Sequence, residues 1–225
     1  ACACYYQSKL NGFNALAPKA QDATVRASDK RLVKGHAFGK CDAVKLSGAD
    51  WPVFRGDNTR SGYSRTDVPT ELKQAWSLKL ANKLSHPVAA GGKLLVSAID
   101  NHTVYAIDAA SGKESWHFIA GGRVDSPPSV HGGMAIFGCN DGNIYALRLA
   151  DGKLAWRFQG APNDRKLISY GQIESVWPIS GSVLIQNERL YCVAGRSMFL
   201  DGGLRMIILN PATGELISEN VMDNR

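Results

Sequence analysis

Three tryptophans, Trp76, Trp116 and Trp156, recur at a spacing of 40 residues in a chain of 225, and a period of that length limits the fold more than any other feature. The same offset carries Pro87 onto Pro127, Gly92 onto Gly132, Tyr105 onto Tyr145, and Gly112-Lys113 onto Gly152-Lys153. Thr103-Val104-Tyr105-Ala106-Ile107-Asp108, then Ser111-Gly112-Lys113 and Trp116, is matched by Asn143-Ile144-Tyr145-Ala146-Leu147, then Asp151-Gly152-Lys153 and Trp156. A third copy is stretched. Val183-Leu184-Ile185 through Tyr191-Cys192-Val193 follows at an offset of about 55, and Asn210-Pro211-Ala212-Thr213-Gly214 matches Asp108-Ala109-Ala110-Ser111-Gly112. Its extra residues fall at 163–177 and 196–203.

Each copy reads as four short β-runs separated by Gly, Asn and Asp turn signals, with no helical period between them. Four strands in about 40 residues make one blade of a β-propeller. In the first copy the predicted strands are 84–90, 93–98, 103–108 and 113–119. Between the last two, Asp108 starts the turn by bonding its own backbone and Gly112 supplies the positive φ. The tryptophan beyond the turn needs a flat apolar neighbour, which the adjacent blade provides.

The expected fold is therefore all-β: a partial propeller of about three four-stranded antiparallel blades plus one extra outer strand, an incomplete ring. The extra strand is expected at 71–80, around Trp76, as the outer strand of a blade whose other three come from elsewhere. Propellers close with about four to eight blades. Open blades expose apolar faces meant for neighbours, so the expected partner is the remainder of the propeller, from the same protein or another chain, with other protein domains as further partners.

Composition narrows the function classes. The chain is 44% hydrophobic and 20% charged, an ordinary globular balance. Its net charge of +6 is spread over lysines and arginines scattered among acids, with no dense basic run, so no nucleic-acid partner is expected. No stretch approaches the ~18 consecutive apolar residues of a membrane-spanning helix. Residues 1–50 do not repeat: 7–16 reads as a short helix or turn and 18–31 as linker. The expected division is a tail of a preceding domain with a linker over 1–50 and the partial propeller over 51–225. Of the five cysteines, Cys139 and Cys192 lie in strand-like runs as small buried hydrophobes, and a disulfide from Cys41 to Cys2 or Cys4 is open in an oxidising compartment.

The pattern Tyr105-Ala106-Ile107-Asp108, Gly112-Lys113 and Trp116 resembles the pyrroloquinoline-quinone (PQQ)-like β-propeller repeat family, over roughly residues 51–223. Trp51-Pro52-Val53-Phe54-Arg55-Gly56-Asp57 with Arg60-Ser61-Gly62 looks like the lead-in to such propellers. Cys192-Val193-Ala194-Gly195-Arg196-Ser197 with Leu200-Asp201-Gly202-Gly203 resembles a subset found in large exported bacterial multidomain proteins. The resemblance implies a periplasmic or extracellular location. It also implies a noncatalytic scaffold or binding module that mediates macromolecular interaction, as in the outer-membrane assembly lipoprotein of this fold class.

The alternative is part of a PQQ-dependent quinoprotein dehydrogenase. Such enzymes hold PQQ and calcium over the propeller centre, and their resemblance would require a vicinal cysteine pair, a stacking tryptophan and Glu, Asn and Asp ligands; this sequence has no Cys-Cys pair. No catalytic, cofactor-binding or metal residue is therefore assigned, and no phosphate loop, nucleophile elbow or zinc-protease motif occurs. Candidate ligand-binding residues are five. Trp177, Arg196 and Asp201 sit in the two insertions, where a repeat commonly carries its binding face. His86 and Asp125 occupy neighbouring places where the innermost strands begin. Against these stand the structural readings, which are preferred: Arg196 pairing with Asp201 across a long hairpin, Trp177 packed between blades, and His86 and Asp125 as hydrogen-bonded rim features.

Overall fold

Alternating apolar runs broken by turn residues produce the expected blades. The computed structural model describes residues 31–64, 66–81 and 83–223. Leu32–Lys34 forms β1. The first blade is β2 (Val88–Ala90), β3 (Lys93–Ala98), β4 (Thr103–Asp108) and β5 (Glu114–Ile119). The second is β6 (Ser129–His131), β7 (Met134–Gly138), β8 (Asn143–Arg148) and β9 (Leu154–Gln159). Next comes a hairpin of β10 (Lys166–Ser169) and β11 (Gln172–Ser175). The third blade is β12 (Leu184–Gln186), β13 (Arg189–Ala194), β14 (Leu204–Leu209) and β15 (Leu216–Met222). All pairings are antiparallel, and each blade's strands lie side by side in chain order. Between residues 85 and 160 the only helical element is the 3-10 turn Ile99–Asn101. No helix among the described residues is long and apolar enough to cross a membrane.

The repeating tryptophan is the latch between blades. Trp116 Nε1 donates to Leu149 O (2.9 Å) in the β8–β9 turn of the next blade, and Trp156 Nε1 to Pro211 O (3.1 Å) in the β14–β15 turn. Each indole lies on the turn glycine: a Cβ on Gly152 would sit 2.7 Å from Trp116, and one on Gly214 2.6 Å from Trp156. Both glycines have φ of +71°, so the turn needs glycine for conformation and for contact. Two apolar seams result. Leu95, Ala106 and Trp116 meet Ala135, Phe137 and Leu147 between blades one and two, and Ile136, Trp156 and Phe158 meet Leu190, Cys192 and Ile207 between two and three. In blade three the equivalent outer-strand position, opposite Ile208, is Ser218, so the series of latches stops there.

Three expectations need correction. Residues 71–80 carry no strand, because among the described residues no inner strand lies beside them to share hydrogen bonds, yet Trp76 still latches, donating from Nε1 to Ala109 O (3.0 Å) over Gly112. The extra outer strand is β1, which pairs with β9 on the rim of blade two. The 40-residue offset holds for the outer strands but becomes 41 for the inner ones: Ala109 N bonds Gly92 O, whereas Leu149 N bonds Gly133 O. The cause is the β3–β4 turn, which uses four residues, 99–102, where 140–142 suffice in blade two.

Of the stretch expected to be tail and linker, residues 1–30 lie outside the described residues, with the short helix or turn at 7–16, most of the 18–31 linker, and Cys2 and Cys4. The part from 31 onward is laid along the blades. In each blade the 1–2 and 3–4 turns share one end, here called lower, and the 2–3 turn shares the upper end with the links between blades. After β1, the amides of Gly35 and Ala37 bond to Ala155 O and Leu154 O, Asp42 abuts Gly133, and Gly91 N bonds the carboxylate of Asp50. The chain then turns inward. Trp51 exchanges two hydrogen bonds with Ala89, Pro52 O accepts from Val130 N, and Asn58 Nδ2 donates to Ile185 O. One clasp thus touches the innermost strand of every blade. Cys41 on this clasp has no disulfide partner among the described residues, nor do Cys139 and Cys192, whose burial raises their pKa, that of Cys192 to about 12.

At the start of the clasp, buried Arg31 reaches β15, where Glu219 accepts from Arg31 Nη1 and Arg205 Nη1, both at 2.7 Å. Burial alone would raise the Glu219 pKa, but the two arginines outweigh it and hold the carboxyl below its ordinary value. Stability from this group is present above the unfolded-state pKa and is lost as pH falls through the lower folded one. Denaturation midpoints measured from pH 7 to pH 3 should therefore show a smaller acid loss in Glu219→Gln than in the parent, the two converging at the acid end. Parallel curves would remove the role given to Glu219.

Candidate functional site

The upper mouth between the three blades collects charged side chains from loops that share no local sequence. Arg123 and Asp125 come from the β5–β6 link, Asn140 from the β7–β8 turn, Glu174 from β11, and Arg196 from the β13–β14 loop. Glu174 is the pivot, its side chain only 1% exposed. One oxygen accepts from Arg123 Nη1 (3.3 Å) and Asn140 Nδ2 (3.1 Å), the other from Arg196 Nη2 (2.5 Å). Arg123 also donates through Nη2 to Asp125 (2.7 Å), and its Nε lies 3.2 Å from Asp100 but off the line of a hydrogen bond. Asn140 donates to the other oxygen of Asp125 (2.8 Å) and accepts from Ser180 (2.8 Å). Buried charges persist only when paired in this way.

The β10–β11 hairpin roofs this cluster. Its tip is Tyr170-Gly171, both at positive φ (52° and 74°), the geometry of a two-residue hairpin turn. Gln172 is bonded to His102 and to Asp100 O of blade one, Ser175 N bonds Asn140 O of blade two, and the Arg123 guanidinium lies 4.3 Å from the Tyr170 ring. The first insertion is therefore a second strap, across the end opposite the clasp.

The sequence-nominated residues do not all meet. Arg196 and Asp125 belong to the cluster through Glu174 and Arg123. The expected Arg196–Asp201 pair does not form: Arg196 takes Glu174, and Asp201 takes Arg165 (3.3 Å), because the hairpin stands between them as a nearer source of opposite charge. Trp177 is buried in the seam between blades two and three with Arg165 over its ring at 5.6 Å, and its Nε1 has no partner among the described residues. His86 is apart from Asp125. It packs edge-on against Phe54 of the clasp (5.1 Å) and borders an apolar cavity of about 310 Å³ with Trp51, Pro87 and Leu94.

Arg123, Asn140 and Glu174 were missed. A signal existed for Glu174, an acid with no neighbouring cation in Gln172-Ile173-Glu174-Ser175-Val176-Trp177, where burial calls for a distant partner. Among the described residues no three His, Cys, Asp or Glu side chains are grouped so as to hold a metal ion.

A family model described as outer membrane protein assembly factor BamB matches residues 69–225. The chain is similar in structure to quinohemoprotein alcohol dehydrogenase from Comamonas testosteroni, at 22% identity and a TM-score of 0.61, over 76% of this chain and 27% of that one. It is similar to a quinohemoprotein alcohol dehydrogenase from Pseudomonas putida HK5 at 19% identity and 0.61, over 78% and 27%. For a europium-containing methanol dehydrogenase the values are 18% and 0.62, over 78% and 32%. The chain thus spans less than a third of each of these proteins, and at such identities the likeness is one of fold. No curated protein sequence matches it.

Proposed function

Because the chain belongs to the PQQ-like β-propeller repeat family, whose matching model is that of outer membrane protein assembly factor BamB, we propose that it is a noncatalytic propeller module of a larger exported protein, binding or positioning other macromolecules. Its compartment in this reading is the periplasm or the cell exterior. The observation that carries the reading is the closed polar cluster at the upper mouth. Glu174, Asp125 and Asp100 are each already engaged by a guanidinium, and the network joins loops from all three blades. Such a network braces a surface; it leaves no nucleophile beside a base.

The cofactor of the quinoprotein dehydrogenases does not fit these residues. A calcium ion beside Glu174 would face the guanidinium groups of Arg123 and Arg196, and repulsion at such distances is costly in a partly desolvated site. The apolar outer faces, with Leu94 and Tyr105 on blade one and Tyr191, Val193 and Ile208 on blade three, are partly exposed. In this reading further blades, from the same protein or another chain, cover them.

The test is the absorption spectrum of the intact protein after addition of PQQ and calcium and removal of unbound quinone, together with dye-linked alcohol oxidation. The expected result is no retained quinone and no dye reduction. One quinone held per chain, with turnover, overturns the noncatalytic reading.

A further inference from the structure

We infer that residues 73–79 are the outer strand of a further blade whose other three strands come from a separate stretch of polypeptide, the third of them pairing with 73–79 so that an alanine stands opposite Trp76. The inference deepens the reading in which further blades cover the open face of blade one, and rests on it.

Three observations carry it. First, Trp76 is already seated as the buried latches are. Its Nε1 donates to Ala109 O at 3.0 Å, as Trp116 Nε1 does to Leu149 O at 2.9 Å, and a Cβ on Gly112 would lie 2.5 Å from its ring, against 2.7 Å for Gly152 and Trp116. The 40-residue offset holds around it: Lys73, Trp76 and Leu78 fall on Lys113, Trp116 and Phe118, and on Lys153, Trp156 and Phe158. Trp116 and Trp156 each lie in a strand paired with the third strand of its own blade, Ala106 opposite Trp116 and Ala146 opposite Trp156, with Val104 opposite Phe118 and Ile144 opposite Phe158. Among the described residues no amide of 71–80 bonds to a backbone carbonyl. The seated tryptophan thus fixes the place and the register of an incoming strand, small opposite Trp76 and apolar opposite Leu78.

Second, the face of blade one on that side is built as a seam. Tyr105 and Tyr145 are equivalent residues of the repeat. Tyr145, with blade one against it, is 4% exposed and meets the Phe118 ring edge-on at 5.6 Å; Tyr105 has the exposed His117 ring beside it at 5.9 Å and is half-buried. Nearer the axis, Leu94 on the same face borders the apolar cavity of about 310 Å³, which Val88 and Ala89 of β2 also line. The open face therefore runs from Trp76, beside the β4–β5 turn, inward to β2, the breadth that a neighbouring blade covers.

Third, the donor is neither a blade of this chain nor a strand joined to residue 71 by a tight turn. The third strands of the three blades, β4, β8 and β14, are each paired on both edges, so a second copy of this chain has none to offer. Four residues before Trp116, Trp156 and Ser218, a glycine at φ of +69° to +71° closes the turn from the third strand: Gly112, Gly152 and Gly214. The same place before Trp76 holds Leu72, whose Cβ disfavours that conformation and whose side chain is 77% exposed. The third strand therefore reaches Trp76 from elsewhere. Its chemistry follows from its two counterparts, Val104-Tyr105-Ala106-Ile107 and Ile144-Tyr145-Ala146-Leu147: an apolar residue, an aromatic, alanine and a second apolar residue. Strands add to such an edge through main-chain bonds and select side chains at alternate positions.

The probe is a fluorescein-labelled synthetic peptide with the sequence of residues 142–150, the third strand of blade two, titrated with the full chain and read by fluorescence anisotropy. Saturable binding is expected, with amide exchange slowed at 73–79 when the peptide is present. The peptide carrying Ala146→Trp, and the chain carrying Trp76→Ala or Leu78→Asp, should each show binding weakened by about tenfold or more. Ile168→Asp, at the open edge of the β10–β11 hairpin, should leave it unchanged. Thermal unfolding of each variant shows that it is folded, and the altered peptide tests the register without touching the chain. No saturable binding, protection at 166–169 in place of 73–79, or equal binding of the Ala146→Trp peptide would each overturn the inference. A quinone retained by the intact protein removes the noncatalytic reading and leaves the peptide result standing; peptide failure without quinone removes only the strand pairing.

Discussion

Trp156→Ala is expected to destabilise the three blades by about 3–5 kcal/mol, the range for emptying a buried tryptophan site. Trp156 is fully buried in the seam between blades two and three, gives its only N–H to Pro211 O, and lies flat on Gly214. Its loss removes the latch and leaves a cavity that a turn held by Gly214 at φ +71° cannot collapse to fill. Trp116→Ala should cost somewhat less, since that indole is 7% exposed, and Trp76→Ala least of the three, since only one side of it is covered. Chemical denaturation midpoints at constant slope give the order directly. If Trp76→Ala cost as much as Trp156→Ala, the latch would not derive its strength from burial between two blades.

Arg123→Met should cost a similar amount, about 3–5 kcal/mol, for an electrostatic reason. Arg123 is nearly buried and answers three carboxylates, one of them the buried Glu174. Removing the cation strands negative charge where water cannot reach it. The accompanying test is a double-mutant cycle with Glu174→Gln. Neutralising Glu174 in the Arg123→Met background should recover part of the loss, giving a coupling of about 0.5–3 kcal/mol. Strict additivity would show that the two residues do not act through one another and that the cluster is not a brace.

The parts legible in the sequence were those governed by local pattern. Alternation placed β3 and β4 at their observed bounds, and Asp108 with Gly112 and Asn210 with Gly214 wrote out the turns that their hydrogen bonds now show: Gly112 N to Asp108 O at 2.9 Å and Gly214 N to Asn210 O at 2.8 Å. At the candidate site the insertions were visible as breaks in the period. The partners inside them were not. Whether Arg196 takes Asp201, five residues away, or Glu174, twenty-two away, depends on which carboxylate the fold brings within reach, and spacing along the chain carries no record of that.

Local side-chain order therefore specifies the blade, its strand order and its latch, because those depend on side-chain alternation, on the φ that glycine permits, and on the need of a tryptophan for a flat apolar neighbour. How three blades are held as one is set by contacts that exist only once the chain is folded. The clasp from residue 31 to 60 and the β10–β11 strap bind through backbone groups and through charges far apart in the chain. A backbone amide is the same at every residue, so a segment that docks by its main chain, as Trp51 does on Ala89, leaves no periodic mark in the side chains by which it could be foreseen.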